Sequence, residues 1–301
     1  MSNGIPFNKD DDVDYSSAQT MSPLVRRVVA ENPGPFTFKG TGTFIVGDDN
    51  VAIIDPGPAL DGHIEATLKA VEGRTVSHIL VTHTHMDHSP AAAAIKEQTG
   101  AQTWGFGPHG SGRPEAGGMV EEGADHNFKP DHKLRHGDIV EGDGWTFEAL
   151  HTPGHTSNHI CFALKEEKTV FTGDHIMGWS TTIVAPPDGD MQAYMRSLDL
   201  MLPRDDVLYR PCHGPAIENP EDFVRSYIAH REARNDQIIS CLKDGIQGIP
   251  EMVETMYADV PAFLHPAAQR SVLSHMVHLT EIGEVRCDGI PTLKSEYRLG
   301  K

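Results

Sequence analysis

Residues 77–88 read SHILVTHTHMDH, a strand-forming apolar run that passes directly into a cluster of polar side chains. Four of these side chains are common metal ligands, and they fall within six positions: His83, His85, Asp87 and His88. Two imidazoles two residues apart on an extended turn can converge on one metal ion, while the next two ligands point past it towards a second. The alternative, a loop with ordinary polar surface residues, does not explain so dense a set of ligands. The stretch therefore predicts a metal site at the end of a buried strand.

Three later segments carry further ligand-type residues beside turn formers. His155 follows a Pro-Gly turn in HTPGHT (151–156), Asp174 ends FTGD (171–174), and His213 lies in PCHGP (211–215). Each signal is weak alone, but their order after the histidine cluster indicates one composite site. Cys212, beside His213, is interpreted as a small buried thiol.

On these residues the chain resembles the metallo-β-lactamase-fold hydrolase superfamily, whose HxHxDH motif matches residues 83–88. The resemblance implies an α/β fold, an αββα sandwich, with two Zn²⁺ ions as cofactors; Fe or Mn remain open. It also implies the ligand sets: His83, His85 and His155 for one metal, Asp87, His88 and His213 for the other, and Asp174 as the bridge.

The implied reaction is hydrolysis by a hydroxide shared between the two metal ions, because zinc lowers the pKa of bound water to about 7. Asp87, with this hydroxide, is the expected catalytic residue. The expected substrate is an ester, thioester or lactone-type acyl compound, with weak β-lactam hydrolysis as a side activity. Diiron flavoproteins of the superfamily carry Glu in place of His85, and true β-lactamases lack the carboxylate of Asp174. Neither activity is therefore the expected main one.

Three alternatives to a small-molecule acyl hydrolase stay open. They are a single-strand endoribonuclease, a glyoxalase-II-like thioesterase, and a metal-binding protein that has lost catalysis. A basic track leading to the metals would favour the endoribonuclease, and the sequence shows no continuous one. The tail lacks an identifiable basic glutathione-binding pattern, and the intact ligand set argues against lost catalysis.

Apolar patterning predicts strands first, then helices, then strands again, which favours a sheet sandwich covered by helices. The segment from Gly105 to Asp131 is rich in Gly and Pro, and is interpreted as a lid or a disordered loop. Trp179 and Ser180 follow Asp174 closely enough to line the mouth of a pocket. His159 is a further candidate for substrate contact, with a packing role as its alternative.

Three regions are predicted: an acidic arm or disordered tail (1–22), a catalytic domain (23–221) and a C-terminal helical module (222–301). The module's segments IPEMVETMY and AQRSVLSHMVHLTEIGEV are similar to the winged-helix tail of the β-lactamase-like protein 2 group. Residues 222–301 contain nine Lys and Arg against eleven Asp and Glu. Because a DNA-reading helix normally carries a basic stripe, packing, dimerisation or shaping of the cleft is expected instead.

Composition and charge restrict the kinds of partner that the protein is expected to bind. The 301 residues carry a net charge of −18, which opposes loose binding to polyanions. No apolar run is long enough to span a bilayer, and the first residues do not read as a secretory signal. Four scattered cysteines without CxxC spacing suit a reducing cytoplasm. A small acyl substrate, a cytoplasmic location and a possible homodimer are therefore expected, without a membrane partner.

Overall fold

The computed structural model describes residues 4–113 and 123–300. In this part of the chain a first sheet of seven strands pairs in chain order: β1 (Gln19–Thr20), β2 (Val25–Val29), β3 (Gly42–Gly47), β4 (Asn50–Ile54), β5 (Thr75–Leu80), β6 (Gln102–Gly105) and β7 (His132–Lys133). Strands β1 to β4 pair antiparallel, whereas β4 to β7 pair parallel. The carboxyl ends of β4 and β5 consequently meet at one edge of the sheet.

A second sheet contains five strands: β8 (Ile139–Gly142), β9 (Trp145–His151), β10 (Ile160–Leu164), β11 (Thr169–Gly173) and β12 (Leu208–Pro211). Its order is β12-β11-β10-β9-β8, with β11 and β12 parallel and the other pairs antiparallel. The two sheets bury a shared apolar core that includes Phe44, Ile54, Phe147 and Phe171.

Helices cover both outer faces of this sandwich. α1 (Asp61–Ala70) and α2 (Ala92–Thr99) pack on the first sheet through residues such as Ala66 and Ile95. α3 (Met191–Met201) and α4 (Pro220–Lys243) pack on the second sheet through residues such as Leu198 and Tyr227. The predicted αββα sandwich is therefore confirmed.

The C-terminal module contains α5 (Ile249–Met256), a 3₁₀ turn (Ala262–Leu264), α6 (His265–Glu281) and the hairpin β13 (Val285–Cys287) and β14 (Tyr297–Leu299). It has its own apolar core, to which the last turns of α4 contribute Ile238 and Leu242. Helix α4 thus starts on the second sheet and ends in the module, which ties the module to the sandwich. The predicted helical, winged-helix-like architecture is confirmed.

The acidic N-terminal segment lies against the sandwich as an arm, so the interpretation as a disordered tail does not hold for residues 4–22. Ile5 is buried, and the ring of Phe7 meets the rings of Phe223 and Tyr227 edge-on. Asp11 forms an ion pair of 2.8 Å with Arg27 of β2. No helix in the described residues is both long enough and apolar enough to pass through a membrane.

Candidate metal centre

The predicted ligands come from strand ends that meet along one rim of the sandwich. The HTHMDH stretch follows β5, Asp174 follows β11, and His213 follows β12, while His155 precedes β10. Side chains that extend beyond parallel strand ends are brought together by the sheet itself, as in other α/β folds. The rim therefore gathers residues up to 130 positions apart in sequence.

A first group consists of three imidazoles. The Nδ1 atom of His85 lies 3.0 Å from Nε2 of His83 and 3.0 Å from Nε2 of His155. The three ligand atoms lie within 4.8 Å of one another, and the group could hold a metal ion. His83 and His155 are buried, and His85 is half-buried.

A second group pairs two imidazoles with a carboxylate. The Oδ2 atom of Asp87 lies 3.2 Å from Nε2 of His213 and 3.4 Å from Nε2 of His88. These three ligand atoms also lie within 4.8 Å of one another. Asp87 additionally accepts a hydrogen bond of 3.2 Å from the Thr41 hydroxyl.

Asp174 lies between the two groups and points one oxygen at each. Its Oδ2 atom is 3.7 Å from Nε2 of His155, in the first group. Its Oδ1 atom is 3.3 Å from Nε2 of His213 and 3.6 Å from Nε2 of His88, in the second. This is the placement that a bridging carboxylate requires, because each oxygen can serve one metal ion.

The residues fit a pair of divalent metal ions. Nε2 of His88 and Oδ1 of Asp174 are buried and have no hydrogen-bond partner in the described part of the chain. Buried polar atoms without partners are rare and costly, so two of them aimed at one point indicate a missing ligand. Imidazole and carboxylate donors together suit zinc and related transition metals.

The electrostatics of the second group also match a cation. Burial alone would lower the pKa of His213, but the carboxylates of Asp174 and Asp87 raise it to about 10. Burial opposes ionisation of Asp87 as well, yet His88 and His213 hold its pKa well below the usual value. A positive charge is thus strongly favoured at the position where a metal ion would sit.

The first group differs from the second at His83, whose pKa is lowered. Burial, together with the neighbouring imidazoles of His88, His85 and His155, keeps the pKa of His83 well below its ordinary value. Metal binding requires the neutral imidazole, so His83 is held in the ligating form.

Asp55 is a functional residue that the sequence analysis missed. It follows β4, is fully buried, and has a positive φ of 47°. Its carboxylate accepts hydrogen bonds from the backbone amide and hydroxyl of Thr82, at 2.7 and 2.6 Å, and lies 2.9 Å from Nδ1 of His88. The Cys212 thiol donates a further bond, at 3.0 Å. Asp55 therefore orients the candidate ligand His88 through the ring nitrogen opposite the second group. Its carboxylate also lies within ligand distance of His83 and His88.

Other ligands are oriented in the same way. Nδ1 of His155 bonds to the carbonyl of Ile183 at 2.6 Å, and Nδ1 of His213 bonds to the carbonyl of Gly40 at 3.2 Å. Nδ1 of His83 lies 3.1 Å from the hydroxyl of Thr82, which in turn donates to Asp55. In each case the ring nitrogen opposite the site is engaged, which fixes the other nitrogen towards it.

The substrate-contact prediction for His159 is corrected by its surroundings. The ring is fully buried; Nδ1 lies 2.9 Å from the Thr152 hydroxyl, and Nε2 accepts the backbone amide of Asp174 at 3.2 Å. Both nitrogens are engaged and the ring is fully buried, so His159 holds the backbone of Asp174 and is not exposed to solvent. The alternative that the sequence allowed, a packing or orienting role, describes it better.

Trp179 lies beside the second group. Its ring stacks on Phe38 at a centroid distance of 4.8 Å, and it packs on Gly214, the residue after His213. Phe38 in turn lies two residues before Gly40, the partner of His213. Ser180 is half-buried, and its carbonyl accepts a bond from Tyr227. Substrate contact by Trp179 and Ser180 remains a prediction.

Part of the segment predicted as a lid borders the site. Ala124 pairs with His85 as an isolated bridge, and the amide of Asp125 donates to the carbonyl of Thr84 at 2.7 Å. The same predicted segment includes residues 114–122, which lie outside the described residues.

Comparison with known proteins agrees with this geometry. Residues 37–213 match the metallo-β-lactamase superfamily, and residues 249–291 match the β-lactamase-associated winged-helix domain. The chain is 32% identical to a β-lactamase-like protein 2 homologue of Caenorhabditis elegans, over 92% of this chain and 90% of the relative. It is 30% identical to a protein of Aspergillus chevalieri named atrochrysone carboxyl ACP thioesterase, over 81% of this chain and 76% of that one.

A solved structure shares the fold over the whole chain. A β-lactamase domain protein from Burkholderia ambifaria superposes with a TM-score of 0.80 at 19% identity, covering 100% of this chain and 98% of that one. The chain belongs to the metallo-β-lactamase superfamily. It is a metal-dependent hydrolase with a C-terminal winged-helix domain.

Proposed function

We propose that this hydrolase is a dinuclear zinc thioesterase that acts on acyl substrates with an aromatic or otherwise apolar acyl group. The observation that carries the substrate class is a set of apolar residues on the segments that contain the ligands or their hydrogen-bond partners, called here the apolar rim: Phe36, Phe38, Met86, Trp179 and Ile183. Two members adjoin ligands directly: Met86 lies between His85 and Asp87, and the carbonyl of Ile183 holds His155.

Three residues of the apolar rim are unusually exposed to solvent. Phe36 is 55% exposed, Met86 51% and Ile183 39%, although all three are large apolar residues. Neighbouring apolar residues that remain open to solvent commonly mark a binding surface. Trp179 packs on Gly214, next to His213, so an acyl group placed on Phe38 and Trp179 would lie beside the second group.

The charges beside the rim argue against a polyanionic substrate. Two cations near the apolar rim are engaged by the acidic arm: Lys39 donates to the carbonyl of Asp11, and Arg27 pairs with its carboxylate. Recognition of single-stranded RNA usually needs a continuous positive track. The endoribonuclease is therefore the second candidate rather than the first.

The chain's own residues would perform three tasks. Metal ions held by the two groups would supply a Lewis acid for the acyl carbonyl and lower the pKa of a water molecule. Asp174 would keep the two groups at a fixed separation, and Asp87 would accept hydrogen bonds at the second group. The Phe38–Trp179 stack would orient the acyl group. The Aspergillus relative is named a thioesterase, which supports a thiol as the leaving group.

Metal analysis combined with a substrate panel tests this proposal. Purified protein is assayed for zinc, iron and manganese, and then with an aromatic acyl thioester, an aryl lactone, a bis-aryl phosphodiester, a β-lactam and labelled single-stranded RNA. We expect two zinc ions per chain and fastest turnover of the thioester. Cleavage of RNA without cleavage of any acyl substrate would overturn the proposal in favour of the second candidate.

The compartment proposed for this activity is the cytoplasm. All four cysteines are free, and three of them are buried. Such a set suits a reducing environment. Homodimerisation remains a prediction to be checked by measuring the mass of the protein in solution.

A further inference from the structure

Residues 175–184, called here the ligand-holding segment, follow the bridging carboxylate of Asp174 and contain no helix or strand. The segment nevertheless carries groups that the metal centre uses. Trp179 of the apolar rim lies in its middle. Near its end, the carbonyl of Ile183 holds Nδ1 of the candidate ligand His155 at 2.6 Å. The orientation of His155 therefore depends on how this segment is fixed.

The second half of the segment is not held in place by backbone pairing. Residues 179–184 make no backbone-to-backbone hydrogen bond with any described residue. Val184 is fully buried in the apolar core, which fixes where the chain passes but leaves the directions of the carbonyl groups open. Because buried carbonyl groups are normally hydrogen-bonded, their donors have to come from side chains.

Helix α4 supplies these donors from two residues that are one turn apart. The hydroxyl of Tyr227 lies 2.7 Å from the carbonyls of both Met177 and Ser180, and it accepts the amide of Met177 at 3.1 Å. The guanidinium of Arg231 donates to the carbonyl of Thr182. Tyr227 and Arg231 are four positions apart, so they share one face of the helix.

The hydrogen bond from Arg231 acts one peptide group away from the bond that holds His155. The peptide group that contains the Thr182 carbonyl is planar, so fixing this carbonyl also fixes the amide and Cα of Ile183. Burial of Val184 fixes the chain on the other side of Ile183. The direction of the Ile183 carbonyl is thereby restricted from both sides, and with it the ring of His155.

Arg231 is also coupled to the start of the segment. Its guanidinium lies over the ring of Tyr194, 5.2 Å from the centroid. The Tyr194 hydroxyl donates to the carbonyl of His175, the residue after Asp174, at 2.8 Å. The Thr182 hydroxyl donates to the same carbonyl at 2.9 Å. The contacts around Arg231 therefore link the two ends of the segment.

The chemistry of Arg231 favours a positioning role over simple packing. The residue is only 2% exposed, and it forms no ion pair with any carboxylate in the described part of the chain. A buried guanidinium without a carboxylate costs free energy, and an apolar side chain of similar size would avoid that cost. What the apolar side chain could not provide is the charge-assisted hydrogen bond to a carbonyl.

We propose that Arg231 and Tyr227 are positioning residues for the metal ligand His155 and act on it through the ligand-holding segment. The first ligand group depends on this support. The second group is oriented by contacts elsewhere, such as the bond between Asp55 and His88. The inference concerns the metal centre and does not depend on the thioesterase function proposed above.

Zinc binding to each ligand group can be measured separately in two background variants, without any substrate. His213→Ala leaves the first group as the complete site, and His85→Ala leaves the second. Zinc is titrated into metal-free protein against a chelating indicator dye, with and without Arg231→Met in each background. Because outer partners of a ligand change metal affinity by about 10–100-fold, we expect the zinc Kd of the first group to rise about tenfold. The zinc Kd of the second group should not change.

Two milder variants protect the test from a folding failure. Tyr227→Phe keeps the ring in the core and removes only the hydroxyl, so it should also weaken zinc binding at the first group. This variant decides the test if Arg231→Met does not fold. Arg231→Lys keeps a positively charged donor for the Thr182 carbonyl and should restore part of the affinity.

Arg234→Met is the matched control. Arg234 also lies on α4 and over a tyrosine ring, that of Tyr257, but its hydrogen bond goes to Gln237 and not to the ligand-holding segment. Its replacement should leave the zinc Kd of both groups unchanged. Circular dichroism and melting temperatures of all variants are measured alongside.

The outcomes separate positioning from general damage to the fold. Unchanged zinc affinity of the first group in both Arg231→Met and Tyr227→Phe overturns the inference. An equal loss at both groups, or the same loss in Arg234→Met, overturns it as well. A loss confined to the first group and smaller in Arg231→Lys supports it, whether or not the protein cleaves thioesters. Absence of thioester cleavage alongside this pattern would refute only the proposed function.

Discussion

Nδ1 of His88 lies 2.9 Å from Oδ2 of Asp55, and both side chains are completely excluded from solvent. The contact joins the ends of two parallel strands, β4 and β5, and leaves Nε2 of His88 directed at the second ligand group. The carboxylate of Asp55 thus decides which nitrogen of this ring is available to a metal.

Asp55→Asn should weaken metal binding without removing any ligand. The amide cannot accept all the hydrogen bonds that the carboxylate accepts, and outer partners of this kind typically change metal affinity by about 10–100-fold. Zinc content after dialysis against graded chelator concentrations measures the effect. The matched control is Asp131→Asn. Asp131 also accepts several hydrogen bonds, but its donors are Lys96 and Thr103 and not a candidate metal ligand. Equal zinc retention in the two variants would refute the orienting role.

Asp174→Ala should reduce the metal content from two ions per chain towards one. The substitution removes the carboxylate that faces both groups, and hydrolysis should fall by at least about 100-fold because the two-metal arrangement is lost. Elemental analysis and kcat/KM on the best substrate check both effects. Asp199→Ala, an exposed position on α3, serves as the control. Two retained metals and normal turnover in Asp174→Ala would show that the ligand assignment is wrong.

Trp179→Ala should impair aromatic acyl substrates more than small ones. Loss of one aromatic contact removes about 0.5–1.5 kcal/mol, which corresponds to a decrease of roughly 2–10-fold in kcat/KM. The measurement compares an aromatic acyl thioester with the acetyl thioester of the same thiol. Trp104→Phe is the control, because Trp104 stacks on His132 at the far end of the first sheet. The same fractional loss on both substrates would argue against a substrate-binding role of the Phe38–Trp179 stack.

His230 should make the protein less stable as the pH falls below neutrality. Burial, with Arg231 and Arg234 nearby, lowers the pKa of its folded-state imidazole to about 3, whereas the unfolded value is 6.5. The unfolded chain therefore takes up a proton between about pH 6.5 and 3 that the folded chain does not. Stability is full above this window and decreases within it by up to about 1.4 kcal/mol per pH unit.

Urea denaturation between pH 7.5 and 5 tests this linkage. His230→Gln should show a shallower decline of the unfolding free energy on acidification than the wild type. His136→Gln, at an exposed position, should follow the wild-type slope. Identical slopes for all three proteins would mean that His230 titrates normally in the folded state.

The sequence pointed to the candidate ligands because they are clustered or flanked by turn formers, whereas their division into two groups follows from the family resemblance. The HTHMDH stretch supplies four of them within one loop, His155 and His213 lie in Pro-Gly and Cys-His-Gly-Pro turns, and Asp174 follows Gly173 at the end of β11. The sandwich could be predicted equally well, since short apolar runs alternate with helical segments. Both patterns can be recognised from residues that are close together in sequence.

The features that sequence analysis missed depend on contacts between residues that are far apart in the chain. Asp55 stands 27 positions from Thr82 and 157 from Cys212, so its hydrogen bonds become visible only when β4 and β5 are paired. A signal did exist: the IDPG stretch follows an apolar strand, just as THTHMDH does. For His159 the sequence left substrate contact and an orienting or packing role both open, and the buried position of its ring beside the start of β10 favours the orienting role.

The contact of the N-terminal arm with the catalytic domain bears on how the protein should be produced. The amide of Asn8 donates to the carbonyl of Gly178 at 2.9 Å, one residue before Trp179, and Ile5 and Phe7 pack into the core beneath α4. Expression fragments trimmed to the boundary of the family match would leave this core uncovered. Affinity tags fused directly ahead of Ile5 would sit close to the segment that carries Trp179, so a long spacer or a different attachment point is advisable for kinetic work.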